Sequence, residues 1–203
     1  MKFYSFFVLL LFLLPTLPAQ AQLTPQQHQK LVETARWLGS KRLGYASRWT
    51  PPGESKAWIM DCSNTTRYLY QSALHKTLAR TASDQFYDLS QQSRITLAPL
   101  RIDGSVDTAK LLKMMRSGDL LFWEWTYNID RRPPITHVMI YLGTTANGSP
   151  KMAGSASSSM GEASGSGGPD VYNFDPNSPM GGVKGVFGRY IHKARFVGFG
   201  RPS

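Results

Sequence analysis

The sequence changes its hydrophobic pattern near residue 118, and this change limits the folds open to the chain. Before it, apolar residues recur at helical spacing, and after it, short runs of branched and aromatic residues alternate with turn residues. Helices are expected at 24–38, 62–76, 83–92 and 107–116, and strands at 120–127, 138–142, 151–156 and 194–199. Helices followed by strands predict an α+β fold, with the helices packed on an antiparallel sheet.

The segments between these elements are expected to be turns and loops. Asn147 and Gly148 form a pair that is typical of a tight hairpin turn, here between the second and third strands. Residues 40–60 contain a Pro-Pro-Gly run and are predicted as a loop. Residues 154–185 are rich in serine and glycine and lack apolar periodicity, which predicts a long, mobile surface loop.

The N-terminus has the layout of a secretory leader. Lys2 is followed by an apolar run at 3–14 and by Ala19-Gln20-Ala21, a small-x-small cleavage pattern. Residues 1–21 are therefore predicted to be a cleaved signal peptide, and residues 22–203 a single domain. The alternative is a membrane anchor, but the apolar run is shorter than the roughly 18–20 residues that span a bilayer. No stable membrane anchor is expected.

The chain is strongly basic, with a formal net charge of +10 that becomes +9 when Lys2 leaves with the leader. Such an excess favours anionic surroundings: nucleic acid, lipid headgroups or an acidic cell wall. The basic residues are not interleaved with aromatic residues as a strand-binding groove requires, and an exported protein rarely meets nucleic acid. Nucleic acid is therefore not expected as a partner. The histidines lack metal-ligand spacing, so neither a metal nor another cofactor is predicted.

A single cysteine, Cys62, opens the second predicted helix. It has no intramolecular partner for a disulfide, so it is either a buried apolar residue or a reagent. The amide groups at a helix N-terminus would lower the pKa of its thiol and could stabilise an oxyanion formed by attack on a carbonyl. Such a nucleophile needs a base within hydrogen-bonding reach.

Four histidines could supply that base. His28 is expected on the solvated side of the first helix, and His192 lies in a basic surface stretch. His75 is on the same helix as Cys62 but about 20 Å further along it. His137 begins the strand 138–142 and is the best placed of the four, although a histidine at a strand start is often only structural.

Three blocks of the sequence together resemble a known family. They are Asp61-Cys62-Ser63, the run at 117–122 and the run at 135–143, which are similar to the DCSG, GDLLFF and THVGIYLG runs of the NlpC family of cell-wall cysteine peptidases. The resemblance extends over about residues 25–200. It implies a papain-like fold, with the nucleophile at a helix N-terminus packed against an antiparallel sheet.

The resemblance also implies an activity and a partner. The expected reaction is hydrolysis of a peptide bond in peptidoglycan stem peptides, commonly the γ-D-glutamyl bond to the diamino acid. Cys62 would attack, His137 would take its proton, and Tyr45, Asp61 and Ser63 would support the substrate or the oxyanion. Two alternatives stay open: the same fold acting on another amide or acyl group, and a wall-binding module without catalysis.

The third catalytic residue is where the sequence departs from the family. The family places histidine, asparagine or glutamine on the strand after the catalytic histidine, and Ser155 aligns with that position. A serine hydroxyl can accept the imidazole N–H, but with a shorter reach. The other candidates are Asn147, Glu162 and Asp170.

Overall fold

A computed structural model describes residues 23–202. The predicted signal peptide lies outside these residues. No helix within 23–202 is long and apolar enough to cross a membrane.

All four predicted helices are present, with boundaries within two residues of those expected. They are α1 (Pro25–Ser40), α2 (Cys62–Leu74), α3 (Ala82–Gln91) and α4 (Thr108–Met114). Each begins after a residue whose side-chain oxygen accepts an amide hydrogen from the first turn: Thr24, Asp61, Thr81 and Asp107. Because the first amides of a helix have no partner within it, these caps determine where each helix starts.

The strands form a six-stranded antiparallel sheet in the order β3-β10-β4-β5-β6-β7, with two separate pairs, β1-β2 and β8-β9. The strands are β1 (Arg48–Trp49), β2 (Trp58–Ile59), β3 (Ile95–Leu97), β4 (Leu120–Glu124), β5 (Ile135–Thr144), β6 (Pro150–Ala156), β7 (Gly168–Asn173), β8 (Gly182–Lys184), β9 (Tyr190–Lys193) and β10 (Arg195–Gly200). Helices on an antiparallel sheet confirm the α+β, papain-like prediction.

The central strand β5 is buried on both faces, and its side chains alternate between two hydrophobic clusters. Val138 and Ile140 belong to the cluster that includes α1 and α2. Met139 and Tyr141 belong to a second cluster on the opposite face, with Trp123 of β4. Helix α2 contacts β5 directly.

The predicted loop at 154–185 is wrong in part, because it contains β7 and β8. Strand β7 pairs with β6 along its whole length, from Lys151↔Asn173 to Ala156↔Gly168. The pairing uses backbone groups, which a segment rich in serine and glycine still offers although it has no apolar periodicity. Residues 40–60 likewise contain the short pair β1-β2 as well as loop.

Glycine at position 168 allows a close backbone approach that places part of the site. Gly168 has φ +115°, and a side chain there would overlap the carbonyl oxygen of Leu43. The segment that follows Leu43 therefore lies directly against β7. Tyr45 follows two residues later, so this contact helps to position it.

Candidate active site

Cys62 is the first residue of α2, as the sequence predicts. Asp61 caps the helix, and its Oδ1 accepts the amide hydrogen of Asn64 at 2.8 Å. The cap satisfies one of the amides of the first turn, which have no acceptor within the helix. Cys62 is 5% exposed, so its thiol is shielded from bulk water.

The backbone amides of Val138 and Ser63 and the side chain of Tyr45 lie close enough to the Cys62 sulfur to lower the pKa of its thiol. Val138 directly follows His137 on β5. The fold therefore brings together the helix start and the strand start, 75 positions apart in the sequence. Tyr45, Asp61 and Ser63, which the resemblance implicates, all lie at the same place.

Burial raises the pKa of the Cys62 thiol to about 11, and the charge of Asp61 adds to this effect. The Val138 and Ser63 amides and the Tyr45 hydroxyl oppose it but do not outweigh it. The amide of Ser63 in the first turn of α2 lowers this pKa, as the sequence predicts, but burial raises it by more. For a buried thiol, the hydration free energy that is missing on ionisation is larger than the stabilisation from the nearby donors.

His137 is 6% exposed, and burial lowers the pKa of its imidazole to about 4. The charge of Asp61 partly offsets this shift. The ring contacts that of Trp123 edge-on, with centroids 5.5 Å apart and planes at 63°. At neutral pH, therefore, Cys62 is a thiol and His137 a neutral imidazole, which is the protonation state of a general base.

Ser155 does not contact the imidazole. Its hydroxyl donates to the carbonyl oxygen of Met60 at 3.0 Å, just before α2. The imidazole of His137 instead lies against the ring of Trp123. The alignment with the family's third residue therefore does not bring Ser155 to the position it would need.

The other three candidates for the third residue also have partners elsewhere. Asn147 bonds within its own turn to Thr145 and Ser149, Glu162 forms ion pairs with Lys151 and Arg36, and Asp170 accepts the amides of Ala163 and Ser164. The buried Nε2 of His137 has no hydrogen-bond partner among residues 23–202. The ring packs against that of Trp123.

Arg80 also lies near Cys62, although no sequence pattern predicts it there. Its guanidinium donates to Asp61 Oδ2 at 2.8 Å and to the hydroxyl of Ser63 at 2.9 Å. Its side chain is about half exposed. It lies between α2 and α3 as an isolated arginine, and no sequence motif marks such a residue.

Tyr127 is a second residue near the site that no sequence pattern indicates. Burial raises the pKa of its hydroxyl, and the charge of Cys62 contributes to this shift, while a hydrogen bond from Arg131 opposes it. Tyr127 and Arg131 belong to the segment between β4 and β5. This segment therefore borders the thiol.

The remaining histidines are outside this cluster. His28 Nε2 lies 2.7 Å from the carbonyl oxygen of Leu142, so the expectation that it is only solvated is wrong. His75 is exposed and ends α2 in the left-handed conformation. His192 stacks on Trp125 with ring centroids 4.0 Å apart.

The raised thiol pKa predicts how Cys62 reacts with iodoacetamide. Only the thiolate reacts, so the alkylation rate in the folded protein should rise about tenfold per pH unit between about pH 7 and pH 9, without a plateau. Mass spectrometry reports this rate for one site, because the chain has a single cysteine. The protein unfolded in urea is the control and should level off near pH 9. A plateau below pH 8 in the folded protein would contradict the raised pKa.

Comparisons with known proteins agree with the resemblance. The NlpC/P60 family model matches residues 47–159, more than half of the chain. One similar solved structure is a Staphylococcus aureus protein described as similar to lipoprotein, NLP/P60 family, with 21% identity and a TM-score of 0.41. The match covers 68% of this chain and 36% of that protein, so this chain spans about a third of its length. No curated protein matches the chain.

Proposed function

Because the chain belongs to the NlpC/P60 family, whose members are generally cysteine peptidases or amidases, we propose that it is an exported cysteine hydrolase of peptidoglycan stem peptides. The proposed bond is that between γ-D-glutamate and the diamino acid. The observation that supports the proposal is that the backbone of Val138, the residue after His137, lowers the pKa of the Cys62 thiol, so the start of α2 and the start of β5 meet.

The proposed reaction starts from the neutral pair. As the Cys62 sulfur attacks the scissile carbonyl carbon, the His137 imidazole takes the thiol proton, so the thiolate exists only during attack. The carbonyl oxygen becomes an oxyanion that the free amides at the start of α2 stabilise. The imidazolium then protonates the leaving amine, the C–N bond breaks, and water hydrolyses the thioester.

Asp61 supports this cycle through its charge. It raises the pKa of His137 and so favours the imidazolium that forms during attack. The same charge raises the pKa of the Cys62 thiol, which disfavours a free thiolate in the resting state. Both effects favour proton transfer that is concerted with attack.

Arg80 supports the choice of a γ-glutamyl substrate. A glutamate linked through its side-chain carboxyl keeps a free α-carboxylate close to the scissile bond. The half-exposed guanidinium lies next to Asp61 and Ser63, the two neighbours of Cys62. A guanidinium can bind a carboxylate through paired hydrogen bonds, so Arg80 is the residue that would recognise this group.

The proposed cellular location and domain organisation of the protein are based on its sequence. Residues 1–21 direct export and are removed, and residues 22–203 act as one domain. The mature charge of +9 favours contact with an anionic wall. Peptidoglycan or its peptides are the proposed partner.

One observation favours a different candidate, a wall-binding module without catalysis. His137 Nε2 has no hydrogen-bond partner in the described part of the chain, whereas a working triad holds its histidine by a hydrogen bond from one ring nitrogen to a third residue. In that case stem peptides would bind and remain intact. Hydrolysis of a different amide or acyl group is the other alternative, and it would leave stem peptides intact as well.

Digestion of purified muropeptides tests the proposal. Wild-type protein should convert disaccharide tripeptides and tetrapeptides into products whose masses correspond to cleavage after D-glutamate. The same peptides with the α-carboxylate of D-glutamate amidated are the matched substrate control, and they should be cleaved more slowly if Arg80 binds that group. Intact stem peptides after prolonged incubation with folded protein would overturn the assignment.

A further inference from the structure

The hairpin β8-β9 lies outside the six-stranded sheet. Its strands pair from Gly182↔Lys193 to Lys184↔Tyr190. The turn closes with a hydrogen bond from the Gly185 amide to the Arg189 carbonyl oxygen at 2.9 Å. The turn residues are thus held in a defined loop.

The turn carries large apolar side chains that the core does not use. Val186 is 98% exposed and Phe187 is 93% exposed. Ile191 on β9 is also exposed. A turn needs no phenylalanine for its geometry, and a pair of adjacent, fully exposed apolar residues is typical of a contact surface.

Basic residues flank this apolar tip. Lys184, Arg189 and Lys193 are all exposed, and none of them forms an ion pair within the part of the chain that the structure describes. Residues 176–203 contain no aspartate or glutamate. The two other basic residues of this stretch are already paired, Arg195 with Glu124 and Arg201 with Asp119. Within residues 176–203, the basic residues without an ion pair therefore all lie on the hairpin.

We propose that this hairpin docks the protein on the surface of an anionic phospholipid bilayer. Val186 and Phe187 enter the boundary between headgroups and acyl chains, and Lys184, Arg189 and Lys193 lie near the phosphates. Wall polysaccharides and their anionic polymers match the charge but offer nothing for two adjacent apolar side chains. The contact is peripheral and reversible, since only two side chains enter the bilayer.

The hairpin is joined to the segment that borders the candidate active site. His192 on β9 stacks on Trp125 with planes 13° apart, and the guanidinium of Arg132 lies 5.2 Å from the ring centroid of Trp125. Trp125 and Arg132 belong to the segment between β4 and β5, which also contains Tyr127. Docking through the hairpin therefore holds the candidate active site around Cys62 close to the membrane surface.

Vesicle sedimentation tests the proposal without reference to catalysis. The mature protein, residues 22–203, should bind vesicles of phosphatidylglycerol and phosphatidylcholine at least about tenfold more strongly than vesicles of phosphatidylcholine alone. The double variant V186S/F187S should weaken binding at least about tenfold, because burial of the two side chains is lost. The double variant K184E/R189E should weaken it by at least as much.

Two matched controls carry the same changes elsewhere on the surface. I102S removes an exposed apolar residue, and K110E/K113E reverses two exposed charges on α4. Both should bind within about twofold of wild type, and circular dichroism checks that every variant is folded. Three outcomes would overturn the proposal. Wild type could bind both vesicle types equally, or the hairpin variants could bind vesicles like wild type. The third is that the hairpin variants lose binding to purified wall sacculi but keep their binding to vesicles.

Discussion

Replacement of Cys62 by alanine is expected to reduce kcat for stem-peptide hydrolysis at least about 10⁴-fold. The sulfur forms the covalent intermediate in the proposed mechanism, and no other group can take its place because the chain has no second cysteine. KM should change little, since alanine leaves Tyr45 and Arg80 in place. The measurement is the initial rate of product release, followed by mass spectrometry.

Cys62→Ser is the matched control for this variant. It keeps a polar atom of similar size, so the packing at the start of α2 is nearly unchanged. A serine hydroxyl ionises far less readily than a thiol, and burial has already raised the pKa of the thiol to about 11. We therefore expect Cys62→Ser to be almost as inactive as Cys62→Ala. Residual activity above about 1% in either folded variant would contradict a cysteine nucleophile.

The helices and the central strands could be predicted because their causes are local. Helical spacing of apolar residues and the capping side chains Thr24 and Asp61 specify α1 and α2 within two residues. The start of α2 at Cys62 follows from the same cap. In this sequence the helices precede the antiparallel strands, and such a chain has few ways to bury the apolar faces of both. The fold class therefore follows from the pattern.

The parts that could not be predicted depend on contacts between distant segments. Strand β7 is stabilised by backbone pairing with β6, and its sequence shows no apolar periodicity. The face on which Ser155 lies depends on the register of β6 and cannot be obtained by aligning motifs. Arg80 reaches Asp61 from a separate loop. No pattern within a single segment reports such a contact.

The protonation state of the site depends on burial in the same way. A helix N-terminus alone favours a thiolate, and this was the expectation from the sequence. The depth at which Cys62 is buried is a property of the assembled fold, and it outweighs the effect of the helix N-terminus. Hence the residue types could be predicted, but the resting charge of the thiol could not.

Replacement of His137 by glutamine is expected to reduce kcat at least about 10³-fold, because glutamine has a similar size but cannot accept the thiol proton. His75→Gln makes the same change at an exposed position and should stay within about twofold of wild type. Removal of the Ser155 hydroxyl in Ser155→Ala should cost less than about tenfold, since that hydroxyl bonds to Met60 and not to the imidazole. A loss of about 10³-fold in Ser155→Ala would instead make it a catalytic residue.

The pH profile of kcat/KM separates a general base from a residue that only supports the fold. Burial lowers the pKa of His137 to about 4, so the imidazole stays neutral, and able to take a proton, down to that pH. Wild-type activity should therefore persist below pH 6 and fall as pH decreases through about 4. In His137→Gln the remaining activity should lack this decrease while the protein stays folded. A decrease centred near pH 6.5 in wild type would show an imidazole in contact with water and would contradict the buried neutral base.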